Sequence, residues 1–135
     1  MTPLPRVVVT AAVIERDDAF LLTRRLKGTH LEGTWEFPGG KCEPGETHPA
    51  CLEREIVEEL ACAVQVGEEI LRVAHDYSDR RIELHFFACT LLAEPRPMLG
   101  QEMRWVPRGQ LTALELPPAD DELIKLLVSA GTSDG

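Results

Sequence analysis

The stretch GGKCEPGETHPACLEREIVEELAC, residues 39–62, constrains this chain more than any other. Its glycines and the Pro44-Gly45 pair predict a turn that feeds a helix starting near Thr47, a suitable N-cap, with Pro49 tolerated in the first turn. Leu52, Ile56, Leu60 and Ala63 recur at spacings of three and four, which defines a buried stripe. Glu55, Glu58 and Glu59 then share an adjacent face, where like charges one turn apart repel by about 0.2–0.5 kcal/mol per pair. A cation among them would convert that repulsion into attraction. A solvated acidic face is the bland alternative.

The flanking segments alternate between strand and helix patterns. RVVVTAAVIE at 6–15 is apolar at both parities, as a central strand covered on both faces requires. Asp17-Asp18 supplies a loop, and AFLLTRR at 19–25 reads as the returning strand. Successive strand side chains alternate faces, so only one of Arg24 and Arg25 can face a shared pocket. Residues 27–34 form a loop, and Trp35, Glu36 and Phe37 a short extended piece running into the glycine turn. Strands are expected at 64–75, interrupted at Gly67-Glu68-Glu69, and at 81–92, with a hairpin turn at 78–80. A short strand at 102–106, a helical turn at 108–114 and a C-terminal helix at 120–129 complete the pattern. The expectation is an α/β fold, a mixed β-sheet flanked by helices, in a single domain spanning 1–135 with a frayed tail at 129–135.

Charge and cysteine usage narrow the partners. The formal net charge of −9 over 135 residues argues against a DNA or RNA polymer, which calls for a basic stripe. A small phosphorylated ligand remains open if local arginines, lysines or a bridging metal offset the acidic field. Cys42, Cys51, Cys62 and Cys89 show neither a CxxC nor a zinc-type pairing with histidine, so they read as free thiols. There is no signal-peptide pattern and no run near the ~20 apolar residues that cross a bilayer. A cytoplasmic protein without a membrane partner, as monomer or homodimer, is expected.

Gly40-Lys41 invites comparison with a phosphate-binding P-loop, but Trp35 and Cys42 stand where that motif needs glycine and a hydroxyl residue. A calcium loop of the DxDxDG type is also absent. The spacing that fits is Gly40, five residues, Glu46, seven residues, then Arg54-Glu55-Ile56-Val57-Glu58-Glu59. This resembles the box of the Nudix hydrolases, G-x5-E-x7-R-E-U-x-E-E-x-G-U with U aliphatic. The closing glycine is replaced by Ala61, expected to continue the helix, and the next position by Cys62. WEFPGGKCEPGET, LLTRR, DYSDRRIELHFF, QEMRWV and LPPADDELIKLL extend the resemblance to MutT-like members over nearly the whole chain.

The resemblance implies an α/β/α sandwich and hydrolysis, with Mg2+ or Mn2+, of a nucleoside triphosphate to monophosphate and pyrophosphate. It implies metal ligands at Glu55, Glu58, Glu59 and the Gly40 carbonyl, with Arg54 orienting the carboxylates. Glu102 matches a metal-binding or general-base glutamate of several members, and Glu55 and Glu58 compete for the base. Arg25 would meet phosphate or sugar, with Arg24 the alternative. Lys41 would offer a point charge to phosphate, and His30 and Arg80 match positions near the nucleotide. Asp120 departs from the asparagine of MutT-like enzymes that remove 8-oxo-dGTP. An ionised aspartate only accepts hydrogen bonds, which brings CTP, or a broader (d)NTP range, forward as a rival to the oxidised guanine nucleotide. Asp120 as a plain helix cap is the structural alternative. A non-catalytic nucleotide-sensing module is the rival of another class.

Overall fold

The computed structural model describes residues 4–29 and 31–132. In chain order the elements are β1 (Arg6–Arg16), β2 (Ala19–Arg24), β3 (Trp35–Glu36), β4 (Gly39–Lys41), α1 (His48–Leu60), β5 (Val64–Asp76), β6 (Arg81–Leu91), β7 (Met103–Pro107) and α2 (Asp121–Thr132). Two 3-10 segments, Arg108–Ala113 and Pro118–Asp120, lie between β7 and α2.

β1 organises the sheet, as its apolar run at both parities predicts. It pairs in parallel with β6 from Arg6↔Arg81 to Ile14↔Cys89. Along its other edge it pairs antiparallel with β4 at Val9–Ala11 and with β2 at Glu15–Arg16. β5 and β6 form a long antiparallel hairpin, and β7 and β3 both join β2. Alternate β1 side chains enter two cores. Ala12 and Ile14 join Leu21, Phe87 and Cys89 under α1, while Ala11 and Val13 join Phe20, Phe86 and Val106 under α2. The mixed sheet between helices is therefore the observed architecture.

α1 begins as its sequence dictates, with the Thr47 hydroxyl accepting from the Ala50 N–H and Pro49 in the first turn. Leu52, Ile56 and Leu60 are fully buried, each worth about 1.5–3 kcal/mol relative to an exposed side chain. Ala63, expected on that stripe, is exposed because the helix has already ended, and Cys62 is buried in its place. The end itself is a correction. Ala61 does not continue the helix but turns left-handed, φ 54° and ψ 32°, its N–H closing on the Val57 carbonyl at 3.0 Å. It adopts the conformation that glycine adopts without strain.

Other expectations shift. The glycine turn at 39–40 is a strand, drawn straight by the free edge of β1. Asp17 and Asp18, with φ of 50° and 61°, form the tight β1–β2 hairpin turn. Cys42 and Cys51 are joined as a disulfide, while Cys62 and Cys89 remain free and buried. α2 runs on through Thr132 and starts at Asp121, leaving Asp120 in the preceding 3-10 turn. No helix among the described residues is long and apolar enough to cross a membrane.

Candidate functional site

The site forms where β4 passes the middle of α1. The turn before α1 is closed by the Glu46 N–H donating to the Glu43 carbonyl at 3.1 Å, with Gly45 at φ 84°. That turn directs Glu46 back toward α1. Arg54 meets it with two hydrogen bonds, Nε to Oε2 at 2.7 Å and Nη2 to Oε1 at 2.9 Å. The same guanidinium reaches Glu55 at 2.9 Å, Glu58 at 3.2 Å and the Lys41 carbonyl at 3.1 Å. One cation thus spans three carboxylates and the end of β4. Its hydrogen bond, with help from the Glu43 N–H, holds the Glu46 carboxyl down at about 2.

Glu59 points the other way, into the protein. It accepts from the Gly39 N–H at 3.0 Å. Burial pushes its pKa up to about 8, reinforced by the neighbouring charges of Glu36 and Glu55. Glu55 is also raised, because burial outweighs the pull of Arg54. The acids therefore crowd into a space that penalises their own charge. Gln101, buried beneath them, donates to the Glu59 carbonyl at 3.1 Å and accepts from the Leu99 N–H at 2.8 Å.

A cleft of about 220 Å³ opens from this acidic end across the α2 face of the sheet. Gly39, Gly40, Lys41 and Glu59 line its acidic end, Val9, Ala11, Leu84 and Phe86 its floor, and Ala119 and Asp120 its far wall. Arg25 and Arg80 also line it. Arg25 pairs with Glu36 at 2.9 Å, and burial raises the pKa of Glu36 against that pairing. The Arg80 Nε is buried with no hydrogen-bond partner among the described residues. A buried donor left so costs about 1–3 kcal/mol, which an anionic oxygen would relieve.

Asp120 is 4% exposed. Burial, then the charges of Glu36 and Asp121, push its pKa up to about 7. Near neutral pH the carboxyl is therefore divided between an ionised form, which only accepts, and a protonated one. With a proton it offers both a donor and an acceptor, as an amide does.

The structure thus brings Gly40, Lys41, Glu59, Arg25, Arg80 and Asp120 to one cleft, with Glu55, Glu58 and Arg54 at its acidic end. Glu102 stands apart from that cleft. It pairs with Arg24 at 3.1 Å beside a side groove that Arg25 shares. His30 lies outside the described residues. Glu36, Tyr77 and Gln101 are additions that sequence reasoning missed. The one signal for Glu36 was its place in the extended piece entering β4.

Magnesium and manganese take oxygen ligands, and Glu55, Glu58, Glu59 and the Gly40 carbonyl are an all-oxygen set. Gly40 packs so closely that a Cβ there would collide with the Glu55 carboxylate. Backbone and carboxylate are built as one cradle. The donor set fits a hard divalent ion.

A family model described as the NUDIX domain matches residues 9–126. The chain is 34% identical over 127 residues to the 8-oxo-dGTP diphosphatase of Haemophilus influenzae, a match covering 92% of this chain and 93% of that one. It is 35% identical over 128 residues to the CTP pyrophosphohydrolase of Escherichia coli, covering 91% and 92%. The solution structure of the DNA mismatch repair protein MutT from methicillin-resistant Staphylococcus aureus matches with a TM-score of 0.78 at 32% identity, over 96% of this chain and 100% of that one. With the box in register on β4 and α1, a mixed sheet between helices and these matches, the chain belongs to the Nudix family and is a Nudix hydrolase.

Proposed function

We propose that this hydrolase cleaves a nucleoside triphosphate to the monophosphate and pyrophosphate, with magnesium or manganese, and that 8-oxo-dGTP is its foremost substrate. The observation that carries this reading is the single cleft that joins the acidic end at Gly40 and Glu59 to the buried polar wall at Asp120.

Each part has a chemical task. A divalent ion held by Glu55, Glu58, Glu59 and the Gly40 carbonyl would supply charge neutralisation for the phosphates and acidify a bound water. Arg54 holds Glu46, Glu55 and Glu58 in one arrangement before substrate arrives. Arg25, Lys41 and Arg80 receive the triphosphate, Arg80 through a buried Nε that has no hydrogen-bond partner among the described residues. The attacking water breaks one phosphoric anhydride bond and gives its proton to a carboxylate. Glu102, held by Arg24 in the side groove, competes with Glu55 and Glu58 at the acidic end for the role of base. Asp120 meets the base edge.

CTP is the second reading. It is favoured by the carboxyl of Asp120 in place of an amide and by the similarity to a protein named CTP pyrophosphohydrolase. One assay separates these readings. The protein is incubated with magnesium and a panel of 8-oxo-dGTP, dGTP, CTP and dCTP, with Glu59→Gln as control, and pyrophosphate release is measured. Faster release from 8-oxo-dGTP than from CTP supports the first reading, and the reverse order supports the second. Tight nucleotide binding with no turnover would overturn both in favour of a sensing module.

A further inference from the structure

A second cluster of metal-ligating side chains lies at the other end of α1 from the box acids. His48 stands in the first turn of α1, seven residues before Glu55, so roughly 10 Å along the helix axis. Its ring lies 4.1 Å from that of His85 on β6, tilted by 39°. Glu69 on β5 completes the group, and one donor atom from each of the three lies within 4.8 Å of the others.

The sheet is deformed to assemble it. In a regular strand Glu69 and Arg72, three apart, would face opposite sides. Register shifts on both sides of Glu69 place it opposite Phe87 while Arg72 stays opposite His85, so both residues share the α1 face. A bulge that re-aims a side chain is a recurrent feature of functional sites.

The contacts of His85 set the chemistry of the group. His85 is 1% exposed, and both of its nitrogens face carboxylates: Nδ1 lies 2.5 Å from Glu69 Oε1 and Nε2 3.0 Å from Glu83 Oε1. A neutral imidazole carries a single N–H. One of these contacts would therefore set lone pair against lone pair unless a second proton or a metal ion sits there. Glu83 is gripped by Arg6 at 2.7 Å, which keeps it an ionised acceptor for the Nε2–H. Nδ1 is then the nitrogen with a lone pair directed at Glu69. A ligating histidine whose other N–H is held by a carboxylate is the usual outer arrangement of a metal site.

We infer that His48, Glu69 and His85 form a site for a divalent transition ion, zinc foremost, separate from the oxygen-only site of the Nudix box. Two imidazoles and a carboxylate suit zinc and leave a fourth position for water. Tetrahedral zinc needs donors about 3.4 Å apart, so the His85 Nδ1–Glu69 Oε1 pair at 2.5 Å opens while the wider separations, up to 4.8 Å, close around the ion. Glu69 and His48 are partly exposed, which gives an ion a path from solvent. Arg72, 3.2 Å from Glu69 Oε2, leaves Oε1 to face His85. The ion would pin the start of α1 to β5 and β6.

The test is equilibrium dialysis of the full-length protein against zinc in a large excess of magnesium, which occupies oxygen-only sites. About one zinc per chain should be retained, and His48→Ala should weaken retention at least 10-fold. Glu69→Gln is the second variant, and circular dichroism checks that each is folded. Cobalt(II) in place of zinc should give visible absorption bands of a four-coordinate site in the parent and not in His48→Ala. Failure to retain zinc, or equal retention by the parent and both variants, would overturn the site.

Discussion

Arg54 binds Glu46 edge to edge, Nε to Oε2 and Nη2 to Oε1, while its remaining nitrogen reaches Glu55 and Glu58. Only a planar guanidinium makes that fork, and an ammonium cannot. Arg54→Lys should therefore keep the charge yet lower turnover, or raise the magnesium needed for half activation, by about 10- to 100-fold. Magnesium activation curves for the two proteins check this, and coincident curves would remove the positioning role from Arg54.

Gly39 and Gly40 are neighbours with different constraints. A Cβ at Gly39 would enter the backbone of Thr10 in β1, whereas one at Gly40 would meet the Glu55 carboxylate. Gly39→Ala should lower stability by about 1–3 kcal/mol. Gly40→Ala should leave the melting temperature nearer that of the parent and abolish most of the activity. Thermal melts run beside the pyrophosphate assay distinguish the two outcomes.

Ala61 holds a left-handed conformation that costs an L-residue roughly 1–2 kcal/mol. Glycine escapes that strain but loses more chain entropy on folding. Ala61→Gly should therefore stabilise the protein by about 0.5–1 kcal/mol, seen as a rise of about 2–5 °C in Tm. A drop in Tm would mean that packing around Ala61 outweighs its strain.

Asp120 has its folded-state pKa raised to about 7 by burial, Glu36 and Asp121. Between about pH 4 and 7 the folded state holds a proton that the unfolded state has lost, so stability falls as pH rises through that window and is level above it. The full effect is about 4 kcal/mol at most. Asp120→Asn should stabilise the protein more at pH 8 than at pH 5, as urea midpoints at the two values will show. The same titration bears on substrate choice. Preference for 8-oxo-dGTP over CTP should weaken in the parent as pH passes 7 and stay constant in Asp120→Asn.

The Cys42–Cys51 disulfide closes a short loop between β4 and α1. Cross-linking a loop of that size is worth about 2–3 kcal/mol. Cys42→Ser, or a reductant, should lower the urea midpoint accordingly. A midpoint indifferent to reductant would show that the link contributes nothing to the folded state.

Local features of this protein were legible and long-range ones were not. Thr47 and Pro49 announce α1, and the register of Gly40, Glu46 and Arg54 can be read because every partner lies within 15 positions of sequence. β4 could not be read, since two glycines in three residues carry no strand propensity, and it exists because β1 offers an edge. The cysteine pairing depended on that unseen strand. The raised pKa of Asp120 comes from burial and from the charge of Glu36, which no spacing reveals. Ala61 was misjudged because helix propensity favours alanine, while the buried Cys62 and Val64 require the chain to turn there.

The parallel ladder from Arg6↔Arg81 to Ile14↔Cys89 has a kinetic meaning. β1 cannot complete its principal pairing until β6, far along the chain, has left the ribosome. Closing so distant a contact is slow, on the order of milliseconds to seconds. Through that interval the short β2 and β4 cover only the opposite edge of β1, and an uncovered strand edge invites other chains. Refolding yield should accordingly fall steeply with protein concentration, although the finished sheet leaves β1 paired on both sides.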